Sequence, residues 1–455
     1  MKKIAQIALA VTGIFSLCGK DIDLEPHIRK YWKIWQNKKI EVAKPKYTPD
    51  GNPGEMTAYL EACLKRFAPH FLDEYAAIDR ILNLPEKTYL GIMASGAKVS
   101  PLAKVDHECT SWVMMPDATG GRQLLMHKNR DSKGRPLTLQ RRAVPGKHAW
   151  IGNGSVVAFA PTQGMNDCGL VVMMNSGCPV VKSEHSYQGI GTTIIARTLL
   201  EECANAKDAV ALLTKIINDR AYYHWDSGSI WFIGDSKDVF IVENTTYHAE
   251  AKRVNSGVIV RANAFHYPEM QKFSIRGNDS RIAHHRRENA VAELLITKAL
   301  RPNGVITPLD SMAASRISVI PEDKECYPPC GKNTISATTF AVDLEYPDVL
   351  STAYMVFASP ASSCYLPVPV MVTDIPDELL NGDYSERAFV RAENGLPFLP
   401  EKELKALEMK LYKRHTFAIE AARKLLKNGG SRMEAAGILQ QAFNENWKDI
   451  INSEK

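Results

Sequence analysis

The stretch that decides the fold is His107-Glu108-Cys109-Thr110-Ser111-Trp112, followed by a run that closes on Lys128-Asn129-Arg130-Asp131. A cysteine opens one strand-like run, and a turn leads to a second that ends in Asn-Arg-Asp. An antiparallel hairpin of this length carries Asp131, 22 residues after Cys109, back towards the start of the first strand. A carboxylate placed there can hold an ammonium group or orient an amine. Taken alone, Cys-Thr-Ser carries little weight, because a single cysteine is more often a small buried hydrophobe.

Working outward, short strand-like runs are expected at 110–115, 123–127, 155–160, 169–174, 230–234, 239–243 and 258–261, separated by turn residues. A helical pair is expected between the fourth and fifth of them, at 192–203 and 206–217, with Asn205 as the N-cap of the second. A third helix is expected at 280–299, then strands at 334–342 and 353–357. Strands, a helix layer and strands again predict sheets packed on each other with helices outside.

Ahead of Cys109, residues 56–67 and 71–84 carry helical apolar spacing, and Pro45, Pro49 and Pro53 mark an irregular linker before them. Lys2 and Lys3 precede an apolar stretch from Ile4 to Leu17 that is too short to span a bilayer, the pattern of an export signal. Cys18 then offers a lipoprotein cleavage site, and an envelope or periplasmic location is expected. Beyond Pro400 the chain is helical to Trp447, broken at Asn428-Gly429-Gly430 and restarted by a Ser431/Glu434 capping box. The expected organisation is a signal peptide over 1–18, a prosegment over 19–108, a catalytic domain over 109–385 and a helical extension over 386–455.

Further motifs follow in order: Asn166-Asp167-Cys168-Gly169-Leu170, Met174-Asn175-Ser176, Val242-Glu243, and Arg261-Ala262-Asn263-Ala264-Phe265-His266. Together with the Cys-Thr start and the Asn-x-Asp of the second strand, they resemble the N-terminal-nucleophile hydrolases of the linear-amide group. That group includes isopenicillin-N acyltransferases, choloylglycine hydrolases, acid-ceramidase-like amidases and a related family of dipeptidases. The resemblance covers roughly residues 105–370. It implies an α+β fold, a four-layer αββα sandwich of two antiparallel sheets with helices outside.

The resemblance also implies a mechanism. Cys109 is exposed as a new N-terminus by breakage of the Glu108–Cys109 bond. Its own α-amine, titrating near 7.7–8.0, then serves as the base for its thiol. Asp131 holds the α-ammonium, and the backbone N–H of Asn175 with the side-chain amide of Asn263 forms the oxyanion hole. Arg281, in Asn278-Asp279-Ser280-Arg281, falls where some relatives place an arginine that supports the nucleophile. Lys128 falls where choloylglycine hydrolases carry an arginine; lysine keeps the charge and loses the bidentate fork. Ala264 departs from the acyltransferase pattern, which has a histidine there. The run 359–367 looks more like the dipeptidases.

The substrate implied is a small amide or dipeptide, with the cleaved prosegment as a retained partner and a homo-oligomer as an open alternative. No cofactor and no metal is expected: His284 and His285 are adjacent on a helix and point in different directions, and Cys326-x-x-x-Cys330 has no second pair to complete a zinc site. In an oxidising compartment those two cysteines are candidates to pair. Tyr222, Tyr223 and Trp225 are candidates for an apolar pocket or for core. The net charge of +5 on 455 residues does not suggest a nucleic-acid binder. The basic run from Lys128 to Arg142, without aromatics, reads as a solvated face or a carboxylate-binding rim. Rival readings are a dipeptidase of the same superfamily, a catalytically silent envelope binding protein and a papain-like thiol protease. The last needs a cysteine opening a helix and a histidine partner, and no histidine has a fitting context.

Overall fold

The computed structural model describes residues 53–94, 109–132, 137–155, 160–186, 188–224, 226–275, 279–320 and 327–454. Among the described residues before Cys109 are three helices, α1 (Pro53–Phe67), α2 (His70–Leu82) and α3 (Thr88–Ala94). The chain then enters strands β1 (Thr110–Met114), β2 (Gln123–Asp131), β3 (Leu137–Arg142), β4 (Trp150–Ser155), β5 (Ala160–Asn166) and β6 (Val171–Pro179). Helices α4 (Thr192–Glu202) and α5 (Ala206–Asn218) follow, then β7 (Ser227–Gly234), β8 (Val239–Asn244), β9 (Ala249–Val254) and β10 (Val258–Arg261). After α6 (Asp279–Ala299) and α7 (Pro308–Ala314) come β11 (Thr334–Asp343), β12 (Thr352–Val356) and β13 (Leu366–Pro369). The chain closes on α8 (Asp383–Glu393), α9 (Glu401–Lys427) and α10 (Arg432–Ser453).

The strands form two wholly antiparallel sheets, a six-stranded one ordered β10-β1-β2-β11-β12-β13 and a seven-stranded one ordered β3-β4-β5-β6-β7-β8-β9. They face each other, with α4 and α5 on the outer face of the larger sheet and α6 and α7 on that of the smaller. This is the αββα sandwich expected from the resemblance.

Alternation along β1 shows why. Side chains of a strand point to opposite faces in turn. Trp112 and Met114 pack under α6 and α7 with Val291, Leu295 and Met312, whereas Val113 joins the core between the sheets with Met126, Phe340 and Phe232. All five residues of β1 are buried, so both faces of the strand are covered. His127 of β2 stacks on Trp112 with ring centroids 3.9 Å apart, and its two ring nitrogens bond to Thr339 Oγ1 and Asn129 Oδ1. Burial pushes its imidazole down to about 3, Asn129 opposing, so His127 is neutral and part of the wall.

The N-terminal helices are tied to this core by a buried ion cluster. Arg197 of α4 gives a two-pronged bond to the Glu74 carboxylate on α2 (2.7 and 2.6 Å) and a third bond to Glu201 (2.7 Å). Arg142 of β3 also donates to Glu74. Trp150 Nε1 donates to Glu201, whose other oxygen meets His70. Burial on its own would raise the Glu74 and Glu201 carboxyls. The guanidinium groups outweigh it and hold both below the ordinary value, Glu201 at about 2.

Several expectations need correction. The basic run does not end in a solvated face, because Leu137–Arg142 is a strand buried throughout and Arg142 is spent on Glu74. Of the expected strand at 155–160 only the ends are among the described residues: Ser155 closes β4 and Ala160 opens β5, and the two pair with each other. Strands β3, β4, β5, β9 and β13 were not expected. Ala-Pro-Thr-Gln-Gly-Met-Asn of β5 lacks apolar alternation because both its faces are buried, partly through polar contacts such as Gln163 Nε2 to Thr338 Oγ1. Asn205 caps α5 by accepting from the Asp208 N–H, and Ser431 with Glu434 forms the capping box that starts α10, as expected. Cys330 is a free buried thiol beside Ser359 Oγ, and Cys326 lies outside the described residues, as do residues 1–52 with the signal and Cys18. No described helix is long and apolar enough to cross a membrane.

Candidate active site

Cys109 sits immediately before β1, so the strand's register fixes where its side chain goes. Thr110 pairs with Asn129 and Ser111 with Lys128, which carries Cys109 towards Arg130. Its Sγ accepts the Asp131 N–H at 3.4 Å and donates to the Asp131 carbonyl at 3.8 Å. The thiol is buried, and so is Asp131, whose Oδ1 accepts from Thr334 Oγ1 of β11. The hairpin has therefore brought the carboxylate residue back to the cysteine, as its spacing requires.

Two cations of β2 flank the thiol. Lys128 is buried and donates to the Met174 carbonyl on the facing sheet. Burial pulls its ammonium down to about 8, while Cys109 and Asp131 pull it up and Arg130 pushes it further down. Arg130 is likewise held below its ordinary value by burial, with Cys109 opposing, and its Nη1 has no hydrogen-bond partner among the described residues.

The two asparagines stand on the other side. Ser111 Oγ donates to Asn175 Oδ1 (2.7 Å), and Asn175 Nδ2 donates to the carbonyls of Arg261 and Ala262 (3.2 and 3.1 Å). The Asn175 side chain is thus a clamp between β1, β6 and the end of β10. Ser111 pairs with Arg261, the last residue of β10, and Asn263 follows two residues on in the loop after that strand. Asn263 is buried; its Nδ2 donates to the Ser176 carbonyl (2.6 Å), and its second N–H makes no hydrogen bond among the described residues. Its Oδ1 accepts from Arg287 Nη2 at 2.8 Å.

Of the expected residues, Cys109 and Asp131 are in direct contact, and Asn175 and Asn263 meet through the Ser176 segment and the end of β10. Arg281 lies on α6, but its side chain is outside the described residues. The arginine of that helix that reaches Asn263 is Arg287. The sequence did hold a signal for it: Arg287, Val291 and Leu295 recur at helical spacing, and all three are buried. An arginine on an apolar stripe must find a partner. Glu288, next to it, accepts the Ala262 N–H at 2.7 Å. Glu243 accepts the N–H groups of His266 and Tyr267, and burial pushes its carboxyl up to about 7. Asn166 holds the other motif, accepting from the Cys168 and Leu170 N–H groups while donating to the carbonyls of Leu200 and Cys203. Gly169 has φ of +80° there, and a Cβ would meet Pro347 Cβ at 2.7 Å. Tyr222 and Tyr223 are buried, Tyr222 bonding to Ser229, and Trp225 lies outside the described residues.

The sandwich and the order of the motifs resemble those of the N-terminal-nucleophile hydrolases. Within that class the chain resembles the acyl-coenzyme A:6-aminopenicillanic acid acyl-transferase family, whose model matches residues 118–300. The matched stretch holds Asp131, Asn175, Asn263 and Arg287, and begins after Cys109. No curated protein matches the chain. Among solved structures, penicillin V acylase from Agrobacterium tumefaciens is similar at 16% identity, covering 57% of this chain and 86% of its own, with a TM-score of 0.36. Conjugated bile acid hydrolase from Clostridium perfringens is 11% identical over 57% of this chain and 92% of its own, with a TM-score of 0.37. The Caenorhabditis elegans orthologue of N-acylethanolamine-hydrolyzing acid amidase is 14% identical over 51% and 92%, with a TM-score of 0.35. The family match points to an amide-hydrolysing or acyl-transferring enzyme.

Proposed function

We propose that this chain is a self-activating cysteine enzyme that cleaves a linear amide through a thioester and passes the acyl group to water or to an acceptor amine. The observation that carries the reading is the contact of Cys109 Sγ with the Asp131 backbone, at the mouth of a strand whose neighbour β10 runs into the loop of Asn263. In the activating step the Cys109 thiol attacks the Glu108 carbonyl carbon. The C–N bond breaks, the nitrogen leaves as the α-amine of Cys109, and water hydrolyses the thioester to free the Glu108 carboxylate.

In the mature enzyme the α-amine takes the thiol proton as Sγ attacks the substrate carbonyl. Asp131 holds the resulting ammonium, with the side chains of Lys128 and Arg130 beside the sulfur. The oxyanion is received by the second N–H of Asn263 and by the Asn175 backbone. The protonated α-amine gives its proton to the leaving amine. Arg287 fixes the Asn263 amide so that its nitrogen, not its oxygen, faces the reaction.

Intact mass spectrometry tests the activation. Wild type is expected as two pieces parted before Cys109, and Cys109→Ala as one. A wild-type chain that stays whole and still turns over amides would overturn the proposal. Asn263→Ala is expected to lower kcat by about 10²–10³-fold, the usual loss for one oxyanion donor, with KM little changed. Steady-state kinetics on an N-acyl amino acid substrate measures it.

A further inference from the structure

We propose that His266, His285 and Glu288 form a binding site for a divalent cation of the zinc class. His266 Nε2, His285 Nδ1 and the Glu288 carboxylate all lie within 4.8 Å of one another. The two imidazoles approach the two carboxylate oxygens at 3.1 and 3.2 Å. A tetrahedral zinc with bonds of 2.0–2.1 Å separates its ligand atoms by about 3.3 Å. Both imidazole–carboxylate separations are close to that spacing, and the three donors need close in only modestly around an ion.

The histidines of the cluster are not the adjacent pair. His284 turns to Arg287, while His285 turns to Glu288 one helical turn on, and His266 enters from the loop beyond Asn263. Two residues at i and i+3 of one helix with a third from elsewhere is a common way to assemble a metal site. The surroundings also suit an ion. Glu288 is buried, and its carboxylate is the group that both imidazoles meet. The Ala262 N–H orients that carboxylate, and Glu243 fixes the backbone of His266. Ligating groups are typically steadied by such outer partners. A dication would also relieve the repulsion between Glu243 and Glu288, while the nearby Arg287 charge is engaged with Asn263 and His284.

His148, Asp167 and Cys168 make a second cluster of ligand atoms, less buried than the first and containing a thiol. Cobalt(II) separates the sites by their spectra. The metal-free full chain is titrated with cobalt chloride. One ion per chain is expected, with visible d–d bands, no near-ultraviolet thiolate-to-cobalt band, and displacement by zinc. His285→Ala, at a side chain 37% exposed and hence tolerant of change, is expected to weaken binding at least about 100-fold, more than loss of an outer partner costs. Cys168→Ser is expected to leave binding unchanged. Cobalt binding that survives His285→Ala, that carries a thiolate band, or that does not occur at millimolar cobalt overturns the proposal. The readout is metal binding, so it stands or falls separately from the assignment of Cys109 as nucleophile.

Discussion

Cys109→Ala is expected to lower amide turnover by on the order of 10⁴–10⁶-fold, the range seen when a member of a nucleophile–base unit is removed. The loss is this large because thiol and α-amine belong to one residue: without the sulfur, neither the acyl-enzyme nor the amine that activates it can form. Giving the Cys109→Ala variant a free α-amine, by expressing the chain from residue 109, is expected to restore nothing. Single-turnover assays of wild type and variant measure the ratio, and residual turnover within about tenfold of wild type would remove Cys109 from the reaction.

Glu74→Ala, placed in the uncut Cys109→Ala chain so that one polypeptide is measured, is expected to destabilise by about 3–5 kcal/mol. Truncating this carboxylate takes the bidentate acceptor from Arg197 and an acceptor from Arg142, both deep in the protein. The effect has a defined pH window. Glu201, at about 2, and Glu74, also below its ordinary value, bind protons less readily folded than unfolded. Their stabilisation is therefore full above about pH 4.5 and is lost as pH falls towards about 2. Urea unfolding at pH 7 and pH 3 checks both points. The penalty of Glu74→Ala should shrink at the lower pH, and a penalty equal at both would contradict the ionic account.

Much of this was legible in the residues. The strand 258–261 and the helices near 192–203 and 206–217 follow from apolar spacing and an N-cap, signals that lie within a single element. Two of the strands that the residues do not announce share a physical cause. Those of β3 and β5 bury polar and charged side chains against distant partners, Arg142 on Glu74 and Gln163 on Thr338, so their burial is satisfied rather than apolar. No local pattern reveals a partner 68 or 175 residues away. The candidate site divides in the same way. Cys109 and Asp131 belong to one hairpin, and their meeting is a matter of spacing. Arg287 could have been preferred to Arg281 from its place on the α6 stripe, but its grip on Asn263 depends on how that helix lies against β10.

The ion cluster at Glu74 has one more consequence. If the chain is cut before Cys109, α2 and its glutamate belong to a separate polypeptide held without a peptide bond. Cohesion of the molecule then becomes a question of mass action: a pair of fragments held together by desolvated charge melts at a temperature that depends on how concentrated it is, and dilution does what denaturant does to the uncut form.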